Sequence, residues 1–305
     1  MSTVQNIGAD IGRGYVKGYT EIEGNVNSCM FKSVVGLGRQ MEFENYEDPI
    51  FLKVAIGNKC FENVFCGLLA EVEGHAPIRN SMDSKNTDTV RKLLAALLSK
   101  IAVKEEVNIM LGVPNREFTK TNLAAIVEDY KGKTVEVLDY ITKESKKITI
   151  KNISIFRESD AALLYQVTKN KLNNGNDHVM VNVGFRTTEI SFYDNELKYN
   201  DKKSKSLELG NKTVLEYVQN IHDKRSLEEI DTSSRYDDLK SQGYQNLAEN
   251  IEQTVESLLV NMDEINLYAC GGVIKNLDLS DKFIPTEDPQ MITSKGLYLI
   301  ATRKF

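Results

Sequence analysis

Residues 6–18 read NIGADIGRGYVKG, which sets an aspartate, two glycines and a lysine in the spacing D-x-G-x-G-x-x-K. The flanking residues 4–9 and 15–20 are rich in β-branched and aromatic side chains, which predicts two strands joined as a hairpin. Gly12 and Gly14 lack a Cβ, so the tip is expected to take positive φ and lay backbone N–H groups against a polyphosphate. Asp10 is a hard oxygen ligand suited to Mg²⁺, directly or through its waters, and Lys17 brings a point charge to the same anion. Taken alone, the motif reads equally as a surface hairpin whose glycines serve only the turn.

Residues 179–192, VMVNVGFRTTEISF, repeat the pattern. Asn182-Val183-Gly184 stands against Asp10-Ile11-Gly12, and Thr187, Thr188 and Ile190 lead into a second strand. The two stretches lie more than half the chain apart, which predicts two similar domains, each offering one phosphate loop to a nucleotide bound between them.

At 305 residues the chain has room for two domains with their own cores. Its net charge of −6 argues against a surface built to coat nucleic acid or an anionic membrane. The opening MSTVQN is polar, and the apolar run at 93–98 is far too short to cross a bilayer, so a cytoplasmic protein without a membrane partner is expected. Cys29, Cys60, Cys66 and Cys270 form no C-x-x-C pair, and His75, His178 and His222 stand far apart. Buried thiols are therefore expected, with no structural metal.

Residues 28–66 read as a small β-rich insertion, with strands at 50–56 and 60–65 joined at Gly57-Asn58. A helix is predicted over 86–102, with Val90, Leu93, Leu94, Leu97, Leu98 and Ile101 on one face. A strand at 107–113 ends at Pro114, a hairpin occupies 134–151, and a short strand at 153–156 runs into Arg157-Glu158-Ser159-Asp160 and a helix over 161–172. Glu158 thus sits where a strand gives way to a helix N-terminus, where a carboxylate either offsets the dipole, worth about 0.3–1 kcal/mol, or does chemistry. After a polar loop at 171–177, the region 204–262 is mainly helical, with a capping box at Ser226 and Glu229. A strand at 265–270 stops at Gly271-Gly272, and Asp288-Pro289 is expected to start the terminal helix.

Four stretches in order resemble the actin, sugar kinase and heat-shock chaperone superfamily: IGADIGRGYVKG as first phosphate motif, LGVP at 111–114 as the strand before the first connection, VNVGFRTTEISF as second phosphate motif, and YACGGVIKNL at 268–277 as adenosine motif. Within it, the D-I-G-x-G-x-V-K-G form of the first motif, Ser33 in FKSVVG, Arg186-Thr187-Thr188 and the compact length point to ParM-type plasmid-segregation actins and their archaeal relatives. The resemblance implies an α/β, actin-like two-domain ATPase fold, with two related ribonuclease-H-like domains on mixed five-stranded sheets flanking a nucleotide cleft. Domain I would be 1–156, completed by a C-terminal helix at 288–305, and domain II 157–287 with the helical insertion at 204–262.

It further implies ATP or GTP with Mg²⁺ as cofactors. Asp10 would organise the metal, while Gly12, Arg13, Gly14 and Lys17 would hold the β- and γ-phosphates. Asn182, Gly184, Arg186 and Thr187 would close from the other domain, and Gly271, Gly272 and Lys275 or Asn276 would face the adenosine. Glu158 matches the residue that positions the attacking water, which turns its reading from capping to catalysis. One departure stands out: the second motif usually opens with aspartate, and here Asn182 keeps the oxygen but loses the charge. A charge pair at about 4 Å is worth roughly 1 kcal/mol in water and roughly 4 at an effective dielectric of 20, so hydrolysis would slow unless Glu189 or the metal shell compensates.

The function implied is a nucleotide-hydrolysing filament former that adds head to tail and moves plasmid DNA. Its partners would be further copies of itself, and a small DNA-binding adaptor that carries a centromere-like repeat. The alternatives are a scaffold filament with slow turnover, which Asn182 favours, and a small-molecule kinase of the same superfamily.

Overall fold

A computed structural model describes residues 4–80, 84–170, 175–222, 225–259 and 262–305. Residues 171–174 of the expected polar loop lie outside the described residues. The chain forms two compact units, Met1–Ala161 with Ser294–Phe305, and Ala162–Thr293.

The first unit opens with an antiparallel meander, β1 (Val4–Ile11), β2 (Tyr15–Ile22) and β3 (Asn25–Lys32). Its second turn is Glu23-Gly24, with φ of 53° and 82°, the backbone that matches the twist of the strands it joins. β4 (Val34–Leu37), β5 (Ile50–Ile56), β6 (Lys59–Cys66), the short helix α1 (Leu68–Glu73) and β7 (His75–Arg79) build a small lobe. There follow α2 (Asp88–Ile101), β8 (Glu106–Val113), α3 (Lys120–Tyr130), β9 (Thr134–Asp139), β10 (Ser145–Arg157) and the start of α4 (Glu158–Asn170). The Thr87 hydroxyl accepts from the Val90 amide to cap α2. All six apolar residues of the expected α2 face are buried in the core that also takes in Ile7, Ala9 and Ile11 of β1.

One sheet runs through this unit in the order β3-β2-β1-β8-β10-β9-β5-β6-β4-β7. It has ten strands where five were expected, and β10 is the reason. The hairpin arm and the short strand read separately from the sequence are one 13-residue strand with a register shift between Ile150 and Asn152. Residues 145–149 pair with β9 and residues 149–157 with β8, so the bulged strand carries the sheet on into the lobe.

The second unit holds the rest of α4, then β11 (Asp177–Val183), β12 (Thr188–Tyr193), β13 (Lys205–Leu207), α5 (Asn211–Ile221), α6 (Leu227–Thr232), α7 (Asp237–Leu258) and β14 (Ile265–Cys270). Among the described residues its sheet, β13-β12-β11-β14, has four strands, and a single bridge between Tyr268 and Ile284 marks a fifth position. The Ser226 hydroxyl accepts from the Glu229 amide at 3.1 Å, the capping contact expected at the head of α6. Leu247, Ile251 and Val255 of α7, with Leu259, face the core formed by β11, β12 and β14.

The last helix, α8 (Ile292–Lys304), begins at Ile292 rather than at Asp288. Asp288 takes φ of 52°, and its carbonyl accepts from the Met291 and Ile292 amides, so 288–291 is a turn that precedes the helix. Within the first unit, α8 lies against backbone on two sides. A Cβ on Gly8 would stand 2.1 Å from the Ser294 carbonyl oxygen, and one on Gly296 would stand 1.9 Å from that of Ala161. Gly296→Ala is therefore expected to lower stability by about 1–3 kcal/mol, the cost of overpacking a rigid contact, read as a fall in the urea midpoint at unchanged slope.

Among the described residues, no helix is long and apolar enough to cross a membrane, and no group of three or more His, Cys, Asp or Glu stands together to hold a metal. All four cysteines are free thiols. Cys66 and Cys270 are buried as expected, and burial pushes the Cys66 thiol up to about 12. Cys60 is exposed, contrary to expectation, because it falls on the outward-facing part of β6.

Candidate functional site

In the first unit the β1–β2 turn closes on itself, with the Gly12 amide donating to the Tyr15 carbonyl at 3.1 Å. Neither Gly12 nor Gly14 is among the glycines with positive φ, which corrects the expected use of these glycines. Gly12 instead eases a tight fit: a Cβ there would lie 3.0 Å from the Tyr15 oxygen and 3.7 Å from Asp10 Oδ1. The loop carbonyls are held from behind. Gly12 O accepts from Ser33 Oγ at 2.7 Å and from Asn80 Nδ2 at 3.1 Å, and Gly14 O accepts from the Ser33 amide at 2.9 Å. These bonds fix the orientation of both carbonyls, and with it the course of the loop backbone.

Asp10 and Lys17 stand directly opposite one another across the hairpin, 4% and 8% exposed. Lys17 Nζ reaches Asp10 Oδ2 at 3.2 Å. Arg13 and both glycines of the tip remain half-buried.

Lys85 is a residue that motif reading passed over. It is 3% exposed, its Nζ donates to the Ile11 carbonyl at 2.6 Å, and it stands 3.9 Å from Glu158 Oε1. The Lys85 carbonyl in turn accepts from the Tyr130 hydroxyl at 2.8 Å, and burial pushes the pKa of that hydroxyl up, which keeps it a donor. Glu158 rests on Gly112 at the end of β8, where a Cβ would stand 3.0 Å from Glu158 Cγ. Lys85 thus joins the end of β1 to the head of α4, and brings Glu158 to the same neighbourhood as the first loop.

The second unit repeats the turn. The Gly184 amide donates to the Thr187 carbonyl at 2.9 Å, and a Cβ on Gly184 would lie 3.2 Å from that oxygen. The register repeats as well: Asp10 faces Lys17, Ile11 faces Val16, Asn182 faces Glu189 and Val183 faces Thr188. The aspartate–lysine pair of the first hairpin is therefore an asparagine–glutamate pair in the second. Glu189 is 8% exposed, so a carboxylate stands directly across the sheet from the amide that lacks one.

Gly271 takes φ of 112°, which an L side chain rarely adopts, and a Cβ there would stand 2.2 Å from Val183 O and 2.8 Å from Asn182 Oδ1. The Gly271-Gly272 turn is thus pressed against the second hairpin. A Cβ on Gly272 would meet nothing within 4 Å, and the Gly272 carbonyl accepts from Gln290 Nε2 at 2.9 Å. Lys275 and Asn276 lie exposed on the short turn of helix that follows. Arg186 is exposed and pairs with Glu208 at 2.9 Å. The α5 N-terminus is not an open anion site, since the Asn211 and Lys212 amides donate to the carbonyls of Gly184 and Phe185.

The donor set suits a nucleotide-borne Mg²⁺ rather than a protein-built cage. Asp10 is a single buried carboxylate already balanced by Lys17, and Mg²⁺ keeps most of its shell as water and phosphate oxygen.

A family model described as the N-terminal domain of actin-like proteins matches residues 8–159. No curated protein matches the sequence. Among solved structures, a 15-stranded ParM filament from Clostridium botulinum is similar with a TM-score of 0.80 at 19% identity, over 98% of this chain and 99% of that one. An archaeal actin homolog in complex with ADP gives 0.78 at 16% identity, over 99% and 100%. Bacillus thuringiensis ParM with ATP gives 0.69 at 17% identity, over 99% of both chains. At such identities the likeness speaks for the fold.

Proposed function

The chain is an actin-like protein, and from that premise we propose that it binds ATP or GTP with Mg²⁺, polymerises in the nucleotide-bound form and hydrolyses the nucleotide. The observation that carries this reading is the twice-built turn: one glycine amide closing on the carbonyl three residues on, in the same register, in both units. A turn needed only to reverse the chain has no reason to recur with its glycine, its register and a facing polar pair.

In this reading Asp10, Gly12, Arg13, Gly14 and Lys17 take the β- and γ-phosphates, Asn182, Gly184 and Thr187 supply the matching contacts of the second unit, and Gly271, Gly272 and Lys275 or Asn276 serve the nucleoside. Bound Mg²⁺ would neutralise phosphate charge as it develops on the leaving oxygen. Glu158, held by Lys85, aligns a water for attack on the γ-phosphate. Arg186 would first have to leave Glu208, an exposed pair of small worth. Glu189, facing Asn182 across the hairpin, restores the carboxylate that the second motif lacks, so turnover is retained rather than lost. The −6 net charge supports delegating DNA contact to an adaptor protein, with segregation of plasmid DNA as the task served.

The test is sedimentation and negative-stain electron microscopy of the purified protein. Filaments are expected with Mg²⁺ and ATP or GTP and not with buffer alone. Nucleotide binding with no polymer at any protein concentration would move the assignment to the kinase reading.

A further inference from the structure

Glu71 lies on α1 of the lobe, 3% exposed in its side chain, and its two carboxylate oxygens are taken by different strands. Lys32 at the end of β3 reaches Oε2 at 2.5 Å, and Arg79 at the end of β7 reaches Oε1 at 2.5 Å. The next residue along each strand is Ser33 and Asn80, and these are the two side chains that donate to the Gly12 carbonyl. The Asn80 amide also donates to the Ser33 carbonyl at 2.8 Å, which locks the two strand ends together. Successive residues on extended chain face opposite ways, so a carboxylate behind the strands fixes what the strands present in front.

We propose that Glu71 is a positioning residue for the first phosphate loop: by clamping Lys32 and Arg79 from behind, it sets Ser33 and Asn80 on the Gly12 carbonyl. Without its charge, both ion pairs that hold the strand ends to α1 are weakened at once, at a site largely screened from water. The strand ends loosen, and the loop loses its backing. The nucleotide consequence rests on the function proposed above; the effect on the loop does not.

The experiment is amide hydrogen exchange on the nucleotide-free protein, comparing Glu71→Gln with Glu73→Gln. Glu73 is on the same helix and pairs with Arg39 and Tyr46 rather than with Lys32 and Arg79. Glu71→Gln is expected to speed exchange at Gly12 and Ser33 about tenfold or more, as local opening becomes easier. Gly184, in the matching turn of the second unit, is the internal control and stays unchanged, as do all three amides in Glu73→Gln. If Glu71→Gln does not fold, Lys32→Met removes one arm of the clamp and is expected to speed the same two amides. Equal exchange at Gly12 in wild type and Lys32→Met, or equal acceleration of Gly12 and Gly184 in Glu71→Gln, overturns the proposal.

A parallel titration with MgADP is expected to give a dissociation constant about tenfold weaker in Glu71→Gln, a shift of about 1.4 kcal/mol. Failure of the wild type to bind MgADP counts against the nucleotide function and leaves the exchange result to decide the role of Glu71.

Discussion

Glu158→Ala is expected to lower phosphate release by about 10²-fold or more while nucleotide binding stays within a few-fold of wild type. Aligning a water and taking its proton typically contributes 10²–10⁴-fold, and Glu158 is placed for it: Lys85 ties Ile11 and Glu158 together through one ammonium group. The variant removes a side chain that packs on Gly112 and is only partly buried, so the fold is retained. Polymer formed with ATP or GTP should then persist, because hydrolysis no longer weakens it. Phosphate release at the wild-type rate would remove Glu158 from catalysis and return it to capping α4. Glu158→Gln isolates the proton-accepting part of the catalytic role, since the amide keeps the shape and an oxygen that can align the water but cannot take its proton.

The second large effect is Asp10→Ala. Asp10 is the buried partner of a buried lysine, and removing one member of such a pair costs about 3–5 kcal/mol in general, because the remaining charge is left uncompensated. Lys17 has a flexible stem and its neighbours at the tip are half-buried, so part of that cost is relieved by movement. Affinity for Mg²⁺-nucleotide is expected to fall by about 10²–10³-fold, equivalent to about 3–4 kcal/mol, measured by calorimetric titration with MgADP. Binding in the absence of Mg²⁺ should fall much less. Equal losses with and without the ion would mean that Asp10 acts only by holding Lys17.

The first hairpin, its repeat and the strand stopped by Gly271-Gly272 were legible in the sequence, because each motif is local and its residues sit within a few positions of one another. The α2 face was legible for the same reason, since its six apolar residues repeat at helical spacing. What the sequence could not offer was contact between distant positions. Lys85 has no motif around it, and its partner carbonyl at Ile11 lies 74 positions away. Asn80 and Ser33 meet Gly12 from 68 and 21 positions away, and only folding of the lobe brings them there.

The use of the glycines was misjudged in kind. The motif suggested positive φ at Gly12, whereas in the structure the glycine eases a tight fit beside the Tyr15 carbonyl. Arg186 reads as a phosphate ligand in the motif and is paired with Glu208 in the fold, a partner that lies in the next stretch of chain and carries no signature of its own. The split of β10 into two elements came from a bulge at residue 151, a break in alternation that reads as a boundary.

The most direct measurement is light scattering of the purified protein after addition of Mg²⁺ with ATP or GTP, with phosphate release followed in the same sample. Scattering that rises only with nucleotide and declines as phosphate accumulates is the expected result. Flat scattering in protein that has bound nucleotide would contradict the assignment of a nucleotide-driven filament.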